Sequence, residues 1–183
     1  MPRLFYGIDV PVSVKSEAKM AQKMLMEQGI VAESWTNANL LHVTVLFLGM
    51  LDALEMPKLL AAGQDAVKEV QPFLLWTGEF GSFAKNRILW LGFDERSDMS
   101  SLTKLNQLLR NRLAGEIPIE FDIRPYRAHL TLARKLKDSS KLSQATPMSK
   151  QEIPVTELCL FESTRINGIL QYPIRNRFKL GCE

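Results

Sequence analysis

A chain of 183 residues that is 46% hydrophobic carries enough apolar material for one compact domain, or for two small lobes around a shared core. Its longest apolar runs, such as residues 43–50, fall far short of the ~20 residues a membrane-spanning helix needs, and no basic-then-apolar leader opens the chain. A cytoplasmic globular protein with no membrane partner is therefore expected. The net charge of +3 suits a polyanionic partner but is too small to mark a duplex-binding surface, and Cys159 and Cys182 lack the spacing of a disulfide framework or a zinc site.

Residues 3–10 (RLFYGIDV) form an apolar, aromatic run that stops at Pro11, which predicts a first strand. A helix follows, with Ser13 as its candidate N-cap, Val14, Ala18, Ala21 and Leu25 as its buried stripe and Gly29 at its end. Residues 40–48 (LLHVTVLFL), closed by Gly49, read as a second strand, and residues 55–70 as a second helix. Residues 72–83 and 87–93 flank Ala84-Lys85-Asn86, which predicts a hairpin with Lys85 and Arg87 near its turn. Asp98 is placed to cap a third helix whose buried stripe is Leu102, Leu105, Leu109 and Leu113. Strands are expected to resume near Phe121 and to cover 126–133, 155–162 and 172–180, while the polar stretch 135–153 reads as a long loop. The fold class is α/β or α+β.

One repetition carries chemical information. His42-Val43-Thr44-Val45 and His129-Leu130-Thr131-Leu132 are both His-x-Thr-x with apolar second and fourth residues, and the chain has only these two histidines. In a strand, alternate side chains share a face, so each His and Thr point one way while the apolar residues anchor the other. Two such faces meeting across a pseudo-twofold axis would surround a small ligand such as a phosphodiester. An imidazole gives or takes a proton near neutrality, so a pair can deprotonate a water and protonate a leaving oxygen, each transfer contributing ~10²–10⁴-fold in rate. The Thr44 and Thr131 hydroxyls would donate to the non-bridging phosphate oxygens. This scheme requires no metal.

The paired motifs resemble those of the two-histidine (2H) phosphoesterase superfamily. Together with RLFYGIDVP at the N-terminus, LLHVTVLFLG around the first motif and RPYRAHLTLARK around the second, they look like the bacterial RNA 2′,3′-cyclic phosphodiesterases, formerly called 2′-5′ RNA ligases, over residues 3 to about 180. The resemblance implies two pseudo-symmetric lobes, each a mostly antiparallel sheet flanked by helices, with a central cleft, so that 1–183 form a single bilobal domain. It also implies an RNA ending in a 2′,3′-cyclic phosphate as substrate and a 2′-phosphate end as product. It makes His42 the proton donor to the leaving 3′ oxygen, His129 the proton acceptor from water and Arg134 a phosphate ligand, with no cofactor. Strict alternation puts Arg134 on the opposite face from His129, so it reaches the cleft only if the strand ends or bulges near Ala133. Where family members often have proline before the second histidine, this chain has Ala128, preceded by Tyr126 and Arg127; Arg127 is either an RNA contact or a surface charge.

Phe5 and Tyr6 open the first strand, and alternation lets only one face the cleft, where it would stack on a base. Trp35, Trp76, Trp90 and Phe83 invite the same idea, and Lys85, Arg87 and Arg165 are candidate backbone contacts. A monomer is expected. Within the resemblance, action on 2′-5′ oligonucleotides or small cyclic nucleotides and the reverse, 2′-5′ RNA ligation, remain open. Outside it stand a non-catalytic RNA-end binding module and a metalloprotein that uses the two histidines as ligands.

Overall fold

A strand whose side chains are buried on both faces must be covered above and below, and the first strand, β1 (Arg3–Asp9), is such a strand. Its Leu4, Phe5, Tyr6 and Ile8 are at most 3% exposed, and it lies inside the sheet between two antiparallel partners. The computed structural model describes residues 1–121 and 124–181, so Cys182 lies outside the described residues. After β1 come α1 (Val12–Glu27), β2 (Ala32–Trp35), β3 (His42–Met50), α2 (Met56–Lys68), β4 (Phe73–Phe83), β5 (Ile88–Phe93) and α3 (Met99–Leu113). Then follow β6 (Leu130–Leu136), β7 (Glu152–Val155), β8 (Glu157–Ile166), β9 (Ile169–Gln171) and β10 (Ile174–Lys179). The class is α+β.

The helices keep their sequence-predicted stripes. Val14, Ala18, Ala21 and Leu25 of α1 are at most 4% exposed, and Gly29 takes the left-handed φ of +81° that ends the helix. The start differs: Val12 is already helical and the Pro11 carbonyl accepts the Lys15 N–H, so Ser13 lies within the first turn and caps nothing. On α3, the Asp98 carboxylate accepts the Ser101 N–H at 3.0 Å, as the cap was expected to, and all four leucines of the stripe are buried. On α2, Gly63 admits the ring of Phe178 so closely that a Cβ would sit 2.6 Å from it, which docks that helix on β10.

Among the described residues ten strands form an antiparallel sheet in the order β10-β8-β1-β3-β6-β5-β4-β7, with β2 added to β6 and β9 to β8. The order has the same form outward from its centre: β3, β1, β8, β10 on one side and β6, β5, β4, β7 on the other. β3 and β6 are joined by a single ladder pair, Val43 opposite Leu130. Among the described residues no strand resumes near Phe121, and of the expected 126–133 strand only the last four residues lie in a strand, β6, which begins at Leu130. Pro118 and Pro125 break the ladder potential of that stretch. The expected 155–162 strand is β8, which begins at Glu157; Val155 instead ends a separate edge strand, β7, where Pro154 is tolerated. The expected 135–153 loop is partly ordered by the end of β6, a 3₁₀ turn at Ser140–Gln144 and the buried Met148.

Candidate active site

The lone β3–β6 pair sets the site, because Val43 and Leu130 are the second residues of the two His-x-Thr-x motifs. Their own side chains are fully buried on the core face, which leaves the flanking His42, Thr44, His129 and Thr131 on the other. All four line one cavity of about 600 Å³, together with Phe5 and Arg134. Among the described residues the wall also holds Arg3 and Arg165 and no carboxylate, a lining that suits an anion.

Each imidazole is anchored the same way. His42 Nδ1 lies 2.8 Å from the Leu40 carbonyl and His129 Nδ1 2.8 Å from the Arg127 carbonyl. A carbonyl only accepts, so both Nδ1 atoms carry the N–H and both Nε2 atoms are the titrating ones. His42 Nε2 is 3.1 Å from the Thr44 hydroxyl. Rings hold the imidazoles in place: Phe5, Tyr172 and Phe161 surround His42 at centroid distances of 4.7, 5.0 and 5.8 Å, and Phe83 meets His129 edge-on at 4.9 Å. Burial among these rings pushes both histidines below the usual 6.5; the Arg134 guanidinium lowers both further, and the anchoring carbonyls partly oppose the change.

Arg134 reaches the cavity through a bulge. Trp90 of β5 faces Thr131 and Leu89 faces Ala133, so Leu132 is an extra residue that turns Leu132 and Ala133 both inward and Arg134 outward beside Thr131. β3 repeats the device: Gly7 of β1 faces Thr44 and Tyr6 faces Leu46, so Val45 is the extra residue, and Phe47 emerges beside Thr44. Phe47 is thus the counterpart of Arg134. It is 52% exposed, lines the cavity and carries the Arg3 guanidinium 5.5 Å from its centroid. Both bulges are held by buried amides. Gln22 Nε2 of α1 donates to the Leu132 carbonyl at 2.9 Å, and Asn106 Nδ2 of α3 donates to the Val45 carbonyl at 2.7 Å.

Other expected contacts fall elsewhere. Phe5 faces the cavity and Tyr6 the core, as alternation required, but Phe5 is only 3% exposed because it stacks on Phe161 and abuts His42. It braces the imidazole instead of offering a face to a base. Arg127 is exposed and lines a neighbouring cavity, as does Lys85, while Arg87 sits at φ +50° in the hairpin turn and lines neither. Trp35 lines the first cavity; Trp76 lies beneath Arg96, and Trp90 packs over Gly81. Sequence reasoning missed Phe47, Tyr172, Arg3 and the two amides. Superimposing HVTVLF on HLTLAR would have paired Phe47 with Arg134, but Tyr172 and Arg3 carry no local signal. Among the described residues no group of three His, Cys, Asp or Glu is gathered to hold a metal, and no helix is long and apolar enough to cross a membrane.

Known proteins resemble the chain as a whole. The chain is 26% identical over 155 residues to an RNA 2′,3′-cyclic phosphodiesterase of Bacillus subtilis (strain 168), covering 83% of this chain and 81% of that one. It is 25% identical over 170 residues to one of Methanocaldococcus jannaschii, covering 88% and 91%. The crystal structure of E. coli LigT complexed with 3′-AMP superimposes with a TM-score of 0.82 at 27% identity, over 98% of this chain and 99% of LigT. A family model for the 2′-5′ RNA ligase superfamily matches residues 34–167, and the chain belongs to that superfamily.

Proposed function

We propose that the protein hydrolyses the 2′,3′-cyclic phosphodiester at the end of an RNA to a 2′-phosphate, using His42 and His129 as acid and base without a metal. The observation that carries this reading is the matched pair of imidazoles, each locked by Nδ1 to a carbonyl with Nε2 left to titrate, in a cavity that among the described residues holds arginines and no carboxylate. His129 Nε2 takes a proton from water as its oxygen bonds to phosphorus; the bond from phosphorus to the 3′ oxygen breaks, and His42 Nε2–H delivers the proton that oxygen requires. The Thr44 and Thr131 hydroxyls and the Arg134 guanidinium hold the non-bridging oxygens, and donors already in place stabilise their transition-state charge without reorganising. The names of the relatives support the substrate class. We place the enzyme in the cytoplasm as a monomer of one bilobal domain.

The test is turnover, in the presence of chelator, of a short RNA ending in a 2′,3′-cyclic phosphate, with the product end identified by mass spectrometry. The expected outcome is a 2′-phosphate, with His42→Ala and His129→Ala each at least ~10²-fold slower and folded by circular dichroism. Loss of activity with chelator, or either variant retaining near-native rate, would overturn the scheme.

A further inference from the structure

Behind the divide formed by Thr44, Phe47, Ile88 and His129 lies a second cavity of about 870 Å³, which shares those four residues with the first. It opens between β3, the β4–β5 turn and residues 119–121 and 124–127. Each cavity is within the size range of a single small-ligand site. The second differs in chemistry. Apolar and aromatic groups, Leu46, Phe83 and Phe121 among them, form much of its wall, while Lys85 and Arg127 are exposed cations that no ion pair engages among the described residues.

Resting on the reaction proposed above, we infer that this second cavity binds the nucleotide on the 5′ side of the cyclic end, so that the preferred substrate is an oligonucleotide and not a cyclic mononucleotide. A single-stranded nucleotide presents an apolar base face and an anionic phosphate, and an aromatic wall with unengaged cations matches both without reading sequence. Continuity with the first cavity lets the strand run past His129 without leaving the protein. Phe47, exposed at the divide, stands where the two bases part. A peptide adding as a strand does not fit this edge of β3, because the Thr44 and Val45 carbonyls are already taken by the Tyr126 hydroxyl at 2.9 Å and the Asn106 amide at 2.7 Å.

The experiment compares steady-state turnover of 2′,3′-cyclic AMP with that of a trinucleotide ending in a 2′,3′-cyclic phosphate, in the native protein and in Lys85→Ala. The native KM is expected to be roughly 5- to 150-fold lower for the trinucleotide, the range that stacking of one added base supplies. Lys85→Ala is expected to raise the trinucleotide KM about threefold, leave that of the mononucleotide unchanged and flatten the salt dependence of the former, whose slope carries about 0.7 per phosphate neutralised on a single strand. Equal KM values for the two substrates, or an equal effect of Lys85→Ala on both, would overturn the subsite and leave the reaction standing. Turnover of neither substrate would overturn the reaction, and the subsite with it.

Discussion

His42 and His129 have the same anchor and unequal surroundings, three aromatic rings against one, and burial is the leading cause that lowers both from 6.5. The direction fixes the pH profile of the free enzyme. The base must be neutral, so kcat/KM falls as pH drops through its pKa; the acid must be protonated, so kcat/KM falls as pH rises through its own. With both pKa values below the ordinary 6.5, both limbs lie on the acid side, and kcat/KM is expected to peak below pH 6.5 and to decline about tenfold per unit well above it. A kcat/KM optimum above pH 8 would refute the assignment. Because the Arg134 charge is one of the causes holding both groups down, Arg134→Ala should move the kcat/KM profile to higher pH while raising KM roughly 10- to 100-fold through the lost bidentate contact. A rise in KM with an unmoved profile would mean that Arg134 binds substrate without tuning the imidazoles.

At the scale of the element, the matched bulges in β3 and β6 do what alternation alone cannot: they bring the residue five places after each histidine to the same face as that histidine. This is where the sequence became unreadable. A bulge shifts the side-chain parity at Leu132 and Ala133 with no compositional mark, so Arg134 could be named as a ligand only on condition of one. β2, β7 and β9 escaped notice because segments of three or four residues draw their stability from partner strands and leave little periodicity to detect. The long stripes of α1 and α3, the doubly buried β1 and the repeated His-x-Thr-x were legible since each repeats a period that only one structure satisfies. The buried amides were not, because a lone Gln22 or Asn106 in a helical stripe looks like an imperfection until its carbonyl partner is known. Asn106→Leu fits the same space but leaves the Val45 carbonyl without the amide N–H, and should cost ~1–3 kcal/mol in denaturant unfolding, seen as a lower midpoint at constant slope. It should also lower kcat, since Thr44 directly precedes the bulge. An unchanged midpoint would show that the amide does not hold the bulge.

Across the whole molecule, the two halves of the sheet share one direct ladder pair between β3 and β6, yet both contribute to the wall of the first cavity: Phe5, His42 and Tyr172 from one half, Ile88, His129 and Arg134 from the other. An anion bound there links the halves through its contacts and exists only when both are folded. Ligand stabilisation follows from mass action, about 2.7 kcal/mol at a ligand concentration 100 times Kd. For a chain of this length each kcal/mol moves Tm by roughly 2–4 °C, so 2′-AMP, which carries the proposed product end, should raise Tm by about 5–11 °C at that saturation. The form of the transition is as informative as its position. If residues 1–183 are one cooperative unit, the whole unfolding curve moves as a single step, and Arg134→Ala at the same 2′-AMP concentration moves less. Two separated steps, of which only one responds to 2′-AMP, would mean that the halves fold independently and that one of them holds the ligand alone.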